Sequence, residues 1–240
     1  MGKHSRALHI FRRDLRVQDN SALHAALASS AETVTCFIFN DAQVKPHPYR
    51  SANGLAFMIE SLEDLSKEIE RRGGRLLVLH GSHDAVVSQV IRDLEIDAVF
   101  FNRDYTPFSR ARDEAIALAC SKLGVPCSSH GDALLVEPET FGKDDGKPYT
   151  VYTPFFKKAS KLPVPKPSGE PRGRFSAATG FKGKTVSPGQ PDYPGNEIAQ
   201  VGNDVTQGGQ PDYPGVGNHV SSNKTHINNR SEEHTSELQS

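Results

Sequence analysis

The chain has 240 residues and a formal net charge of −1, so no overall attraction to nucleic acid or to an anionic membrane is expected. No stretch reaches the ~18 apolar residues of a membrane-spanning helix, and the N-terminus has no signal-peptide pattern. The 3 cysteines form no Cys-x-x-Cys pair, which indicates reduced thiols rather than disulfides or a metal site. We therefore expect a cytoplasmic protein that does not bind membranes.

Short apolar segments alternate with helical patterns over the first two thirds of the chain. The apolar segments are ALHIF, TVTCFIF, RLLVLH, DAVFF and VPCSS. The clearest helical pattern covers residues 53–72, with Asn53 as its predicted cap and Gly73 at its end. Two more helices follow, the first with Ser82 as its predicted cap. This alternation predicts a doubly wound α/β domain with a five-stranded parallel sheet in the order 3-2-1-4-5.

The composition changes after Leu162. Residues 163–229 are rich in proline and glycine, and GQPDYPG occurs there twice. Such a segment buries too little apolar surface to offset its ordering entropy, so we predict a folded domain over residues 1–162 and disorder over 163–229. The stretch RSEEHTSELQS, residues 230–240, is the codon-by-codon translation of a common sequencing adapter. We predict that it is an artefact of sequence assembly, which synonymous codons in the source nucleotides would disprove.

Two polar loops follow the first and fourth strands of the predicted sheet, FRRDLRVQDN and NRDYTPFSRARD. In a sheet of this order, the carboxyl ends of these strands border the crevice in which ligands bind. Arginines suit planar anionic or π-rich groups, whereas aspartate and asparagine suit the N–H and carbonyl edges of a ring. We predict ligand binding by Arg12, Arg13, Asp14, Asn102, Asp104 and Tyr105, with Arg103 beside them.

Other polar residues of these loops have a simpler structural interpretation. Helix caps, loop braces and surface ion pairs worth ~0–1 kcal/mol account for them. The sequence has neither Gly-x-Gly-x-x-Gly nor a P-loop, and no Ser-His-Asp or Cys-His arrangement has local support, so no standard dinucleotide or P-loop site is predicted. We assign structural roles to Arg16, Asp19, Asn20, Arg110, Arg112 and Asp113.

Three segments resemble signatures of the DNA photolyase/cryptochrome family: FRRDLRVQDNSAL, FFNRDYTPFSRARD and GKPYTVYTPFFKKA. They occur in the order of that family, and the resemblance covers roughly residues 7–162. The resemblance implies an N-terminal α/β domain that holds a light-harvesting antenna pigment. In the family, a larger helical domain follows and binds FAD and damaged DNA. There, excited reduced FAD donates an electron to a flipped-out cyclobutane pyrimidine dimer, which then splits.

The resemblance identifies this chain as the antenna domain of a deoxyribodipyrimidine photolyase, a carbon–carbon lyase. It implies that the chain alone, without the FAD domain, is inactive, and we expect a monomer. The implied pigment is a deazaflavin, a flavin or a folate, and folate is disfavoured because Thr106 stands where many folate-binding relatives have glutamate. Three alternatives remain open: a stand-alone flavin- or nucleotide-binding sensor module, a fragment of a cryptochrome-type photoreceptor, and a non-functional product of a broken gene.

Overall fold

A parallel sheet of five strands forms the centre of the computed structural model, which describes residues 3–45, 51–138, 141–143 and 146–187. The strands lie in the order β3-β2-β1-β4-β5, which confirms the predicted topology. All neighbouring strands pair in parallel. The strands are β1 (His4–Phe11), β2 (Ser30–Phe39), β3 (Leu76–His80), β4 (Ala98–Asn102) and β5 (Cys127–His130).

Helices cover both faces of this sheet, as a doubly wound fold requires. None of the helices in the described part of the chain is long and apolar enough to cross a membrane. The helices are α1 (Ser21–Ser29), α2 (Asp41–Val44), α3 (Ala52–Arg71), α4 (His83–Leu94), α5 (Pro107–Lys122) and α6 (Tyr152–Ala159).

Two hydrophobic clusters hold the helices against the sheet. Because side chains of a strand alternate between faces, Leu8 and Ile10 of β1 pack with apolar residues of α4 and α5. Phe11, on the opposite face, packs with apolar residues of α1 and α3. Both faces of the central strands are therefore buried, which explains why their sequences are nearly continuous apolar runs.

The ends of the helices agree with the sequence at most positions. Asn20 caps α1, since its side-chain oxygen accepts a hydrogen bond of 3.0 Å from the amide of Leu23. Gly73 ends α3 with φ of +79°, in the predicted left-handed conformation. The prediction that Asn53 caps α3 is wrong, because the cap is Ser51, whose hydroxyl accepts a hydrogen bond from a backbone amide of the first turn.

The segment after α6 packs against the domain and extends the folded unit beyond the predicted boundary at Leu162. The amide of Thr33 donates to the carbonyl of Arg174 at 2.8 Å, and Ser176 donates back to Thr33 at 2.8 Å. Phe175, Ala178 and Val186 are buried. The sequence predicts no folded element here because these apolar residues are isolated in a polar segment and form no local pattern. The predictions for residues 188–229 and for residues 230–240 lie outside the described residues.

The imidazole of His9 is fully buried in β1 and stacks edge-on against Phe11, with ring centroids 4.5 Å apart. Neither ring nitrogen has a hydrogen-bond partner among the described residues. Burial lowers the pKa of His9 from 6.5 to about 4, with a smaller opposing effect from the charge of Asp14. His9 is therefore neutral in the folded protein at pH values where the unfolded chain already binds a proton.

Acid should destabilise the protein through His9. As the pH falls from 6.5 toward 4, the unfolded state gains a proton that the folded state rejects, so the free energy of unfolding decreases. We expect His9→Leu to reduce this loss by about 2–3 kcal/mol between about pH 7 and about pH 4.5, as measured by urea unfolding. Thr35→Val, at the neighbouring position of β2, is the control without a titrating group. An unchanged pH dependence in His9→Leu would contradict the prediction.

Candidate functional site

A cavity of about 670 Å³ opens at the carboxyl ends of β1 and β2, between α3 and the first turns of α4 and α5. One wall is apolar and includes two exposed phenylalanines, Phe57 of α3 and Phe108 of α5, which are 72% and 49% exposed. The other wall is polar and cationic. The apolar lining is Phe11, Leu15, Phe37, Ile38, Phe57, Met58 and Phe108, and the main polar lining is Arg12, Arg13, His83, Asp104, Ser109 and Arg112.

A second, smaller cavity of about 250 Å³ adjoins the loops after β1 and β4. Arg12, Arg13, Arg16 and Asp104 line both cavities. The crevice predicted between the first and fourth strands therefore exists, but the larger space lies toward β2 and α3. The predicted residues that line only the smaller cavity are Asp14, Asn102 and Arg103.

Asp14 and Asn102 are joined to each other in a buried hydrogen-bond network. The side-chain amide of Asn102 donates to the Asp14 carboxylate at 2.6 Å and to the side-chain oxygen of Asn20 at 2.9 Å. Asn20 also donates to Asp14 at 2.9 Å. The oxygen of Asn102 accepts from the amide of Ala22 at 3.0 Å. The network ties the ends of β1 and β4 to the start of α1, so these two side chains stabilise the loops that border the cavities.

Arg12 is buried below the cavity floor and makes several contacts. Its Nη1 atom lies 2.7 Å from the carboxylate of Asp113 and 3.2 Å from the carbonyl oxygen of Asn102. Its guanidinium lies over the ring of Phe101, with Cζ 3.9 Å from the ring centroid. Burial and the charge of Arg112 lower the pKa of Arg12, and Asp113 opposes this shift. Arg12 is thus held rigidly where it borders the cavity.

Arg13 and Asp104 lie at the solvent side of the cavity. The side chain of Arg13 is 80% exposed, and its Nε atom is 3.4 Å from Asp104. Burial alone would raise the pKa of Asp104, but hydrogen bonds from the Ser109 hydroxyl and the Tyr105 amide, with nearby arginine charges, lower it. Asp104 is therefore ionised at neutral pH and available to accept hydrogen bonds.

Tyr105 and Arg103 contact Glu137 and do not line the larger cavity. The hydroxyl of Tyr105 donates to Glu137 at 2.7 Å, and the Nη1 atom of Arg103 is 3.6 Å from that carboxylate. Arg16, which the sequence assigned to bracing, pairs with Asp132 at 2.7 Å. The structure thus brings Arg12, Arg13 and Asp104 to the larger cavity and sets the other predicted residues around it.

Sequence reasoning missed Arg112, His83 and the exposed phenylalanines. Arg112 was predicted to pair on the surface of α5, but its side chain is only 9% exposed and lines the cavity. A usable signal was present, because Phe108 and Ser109 lie four and three residues before Arg112, the spacings that bring helical side chains together. His83 lies at the start of α4, and burial and the charges of Arg112 and Arg12 lower its pKa to about 4, so it is neutral at pH 7.

Comparison with known proteins assigns this architecture to one family. Residues 7–171 match the family model described as DNA photolyase. A deoxyribodipyrimidine photo-lyase from Synechococcus sp. (strain ATCC 27144 / PCC 6301 / SAUG 1402/1) is 34% identical over 160 residues, which are 67% of this chain and 33% of that protein. An uncharacterized 31.6 kDa protein from Synechococcus sp. (strain PCC 6716) is 34% identical over 166 residues, which are 68% of this chain and 58% of that protein.

A solved structure has the same fold. The archaeal photolyase from Sulfolobus tokodaii, crystallised with two FAD molecules, is 34% identical, and the superposition has a TM-score of 0.65 and covers 77% of this chain and 43% of that chain. This chain therefore spans 58% or less of the proteins it matches here. Since the family model matches well over half of this chain, the chain belongs to the DNA photolyase family.

Proposed function

We propose that this chain is the light-harvesting domain of a DNA photolyase and that it holds an antenna pigment in the larger cavity. The whole protein would repair cyclobutane pyrimidine dimers in damaged DNA by means of FAD. We assign that chemistry to a part of the photolyase outside the segment that corresponds to residues 7–171. We further propose that this domain acts as a monomer and contacts DNA only through the FAD-binding part.

The observation that carries this proposal is the cavity itself. Its volume of about 670 Å³ is within the usual range for small-molecule sites, roughly 300–1,000 Å³, and its lining combines aromatic rings with a few convergent polar groups. It opens at the carboxyl ends of the parallel strands, where doubly wound folds bind ligands. Phe57 and Phe108 offer ring faces at its mouth, and Arg13 and Asp104 offer a donor and an acceptor beside them. Such a lining fits a flat heteroaromatic ring.

A flavin or deazaflavin fits this lining better than a folate. The relative from Sulfolobus tokodaii was crystallised with two FAD molecules, which implied a novel light-harvesting cofactor in that protein. In this chain, Thr106 accepts the hydrogen bond of 3.1 Å from the Ser109 amide that caps α5. It therefore supplies no carboxylate for a folate ring. When bound, the pigment would absorb light and pass the excitation energy on.

The residues of this chain would bind and orient the pigment rather than react with it. The phenylalanines at the mouth would stack on the ring, while the buried wall of Phe37 and Ile38 would exclude water from one edge. Asp104 would accept a hydrogen bond from a ring N–H, and Arg13 would donate to a ring carbonyl. The rigid buried network behind them would fix the orientation on which energy transfer depends.

Phe57→Ala tests this proposal. We expect the full chain to bind riboflavin, measured by quenching of flavin fluorescence, and Phe57→Ala to weaken binding by about tenfold, because a stacked ring pair contributes roughly 0.5–1.5 kcal/mol beyond burial. Phe156→Ala is the matched control, since Phe156 lies on α6 outside the cavity lining and is 53% exposed. Equal weakening in both variants, or no riboflavin binding at all, would contradict a pigment site in this cavity.

A further inference from the structure

Two of the cysteines lie together where α5 ends and β5 begins. Cys120 is in the last turn of α5, and Cys127 is the first residue of β5. The chain between them turns tightly, since the amides of Leu123 and Val125 each donate to the carbonyl of Cys120 at 3.0 Å. This turn returns the chain to the helix that it has just left, and it brings Cys127 beside Cys120.

The two thiols contact each other inside one hydrophobic cluster. Cys120 belongs to the cluster that holds α4 and α5 against the sheet, and Cys127 packs against the same cluster. Their side chains form a hydrogen bond with each other, and both cysteines are free thiols. A disulfide closes only between cysteines whose side chains point toward each other, and this pair meets that requirement.

The surroundings make the two thiols unequal. The hydrogen bond with Cys120 and the charge of Arg12 lower the pKa of Cys127, and burial opposes this shift. The same hydrogen bond, together with burial, raises the pKa of Cys120. Cys127 is also partly exposed, whereas Cys120 is fully buried. Because the thiolate is the nucleophile, Cys127 is the thiol that reacts first with a reagent from solvent.

We propose that Cys120 and Cys127 are a reversible redox pair that closes to a disulfide when the surroundings become oxidising. The oxidant is a small disulfide such as oxidised glutathione. The Cys127 thiolate attacks one sulfur of the oxidant and expels a thiolate, which takes up a proton. Cys120 then loses its proton, attacks the Cys127 sulfur of the mixed disulfide and expels the second thiol. The cysteines lose two electrons, and the oxidant is reduced to two thiols.

The disulfide would join the end of α5 to the edge of the sheet. β5 is an edge strand, and it pairs only with β4 among the described strands. Such a strand opens more easily than a central one, and a covalent link to a helix would restrain it. Oxidation should therefore slow hydrogen exchange at the amides of β5. Disulfides in reducing compartments are usually transient and redox-sensing, which is the behaviour expected of this pair.

Peptide mapping of the full chain tests the proposal, because trypsin cleaves after Lys122 and so separates the two cysteines. The chain is incubated with mixtures of reduced and oxidised glutathione, and the remaining thiols are blocked with N-ethylmaleimide in denaturant before digestion. We expect the peptide that contains Cys120 to be cross-linked to the peptide that contains Cys127, in a yield that rises with the oxidised fraction. Dithiothreitol should release the two peptides.

Cys36 provides the internal control, since it is fully buried in β2 and burial raises its pKa to about 12. It should stay blocked as a free thiol throughout the series, and Cys36→Ser should leave the yield of cross-linked peptides unchanged. Cys127→Ser should abolish the cross-link.

Complete blocking of both Cys120 and Cys127 in the native chain, at every glutathione ratio, would overturn the proposal. A lasting glutathione adduct on Cys127 without a cross-link would also overturn it, because Cys120 would then not complete the exchange. Hydrogen exchange of the β5 amides at an unchanged rate in the cross-linked chain would contradict the restraint on the edge strand.

Discussion

Phe175→Ala is expected to lower the free energy of unfolding by about 3–5 kcal/mol, the usual cost of removing a buried phenylalanine ring. Phe175 is 4% exposed and belongs to the cluster formed with α1 and α3. Its side chain also lies so close to Gly74 that a Cβ atom at that position would be 2.5 Å from the Cβ of Phe175. The surroundings of Phe175 are therefore tightly packed, and they could relax only slightly into the space that the ring would leave. Urea unfolding of the native chain and the variant measures the difference.

Val164→Ala is the control for this prediction, since Val164 lies in the same segment but is 70% exposed. It should change stability by less than ~0.5 kcal/mol, as exposed substitutions usually do. The comparison decides between two boundaries of the folded unit. If Phe175→Ala is as silent as the control, the domain ends near Leu162, as the composition alone predicts.

Asn102→Leu is expected to lower the free energy of unfolding by about 3–5 kcal/mol, because it breaks the buried network at several points. The Asp14 carboxylate would lose a donor at 2.6 Å, and the amide of Ala22 would lose its acceptor at 3.0 Å. Leucine has the same number of side-chain heavy atoms and the same branched outline as asparagine, so the loss reflects unsatisfied polar groups and not a cavity. Thermal or urea unfolding at neutral pH measures it.

Asn53→Ala provides the matched control, because Asn53 lies exposed in the first turn of α3 and Ser51 is the cap. Alanine favours a helix more than asparagine does, so this variant should be neutral or slightly stabilising.

Pigment binding gives a second readout for Asn102. Asn102→Leu should weaken riboflavin binding only by disturbing the loops, so a variant of normal stability with much weaker binding would instead indicate direct contact between Asn102 and the pigment.

The sequence alone was sufficient for the sheet and for the placement of two polar loops at one edge of it. Strand and helix patterns are local, because the period of two or 3.6 residues can be read in any short window. The continuous apolar runs around Ile10 and Phe101 predicted strands covered on both faces, and this led to the correct strand order. The polar loops after β1 and β4 were located at the crevice by the same topology, since the carboxyl ends of parallel strands share one edge of a sheet.

The tertiary structure alone decided which polar residues border the cavity and which support it. The side chains of Asp14 and Asn102 could equally well bind a ligand, to judge from their hydrogen-bonding groups. Only the structure shows that these two residues, 88 positions apart in the sequence, form a hydrogen bond with each other. Arg112 resembled a surface residue of α5 until the fold placed Arg12 beside the same carboxylate.

The burial of residues after Leu162 could not be predicted from the sequence either, because it too depends on contacts between distant segments. Phe175, Ala178 and Val186 have no periodic neighbours, so no window of the sequence reveals that they are buried. Their burial depends on surfaces of both clusters that distant segments create only after folding, such as the open side of Gly74 against which Phe175 packs. Local pattern thus determined the framework of this protein, whereas contacts between distant segments determined which isolated apolar residues are buried and which polar side chains line its cavity.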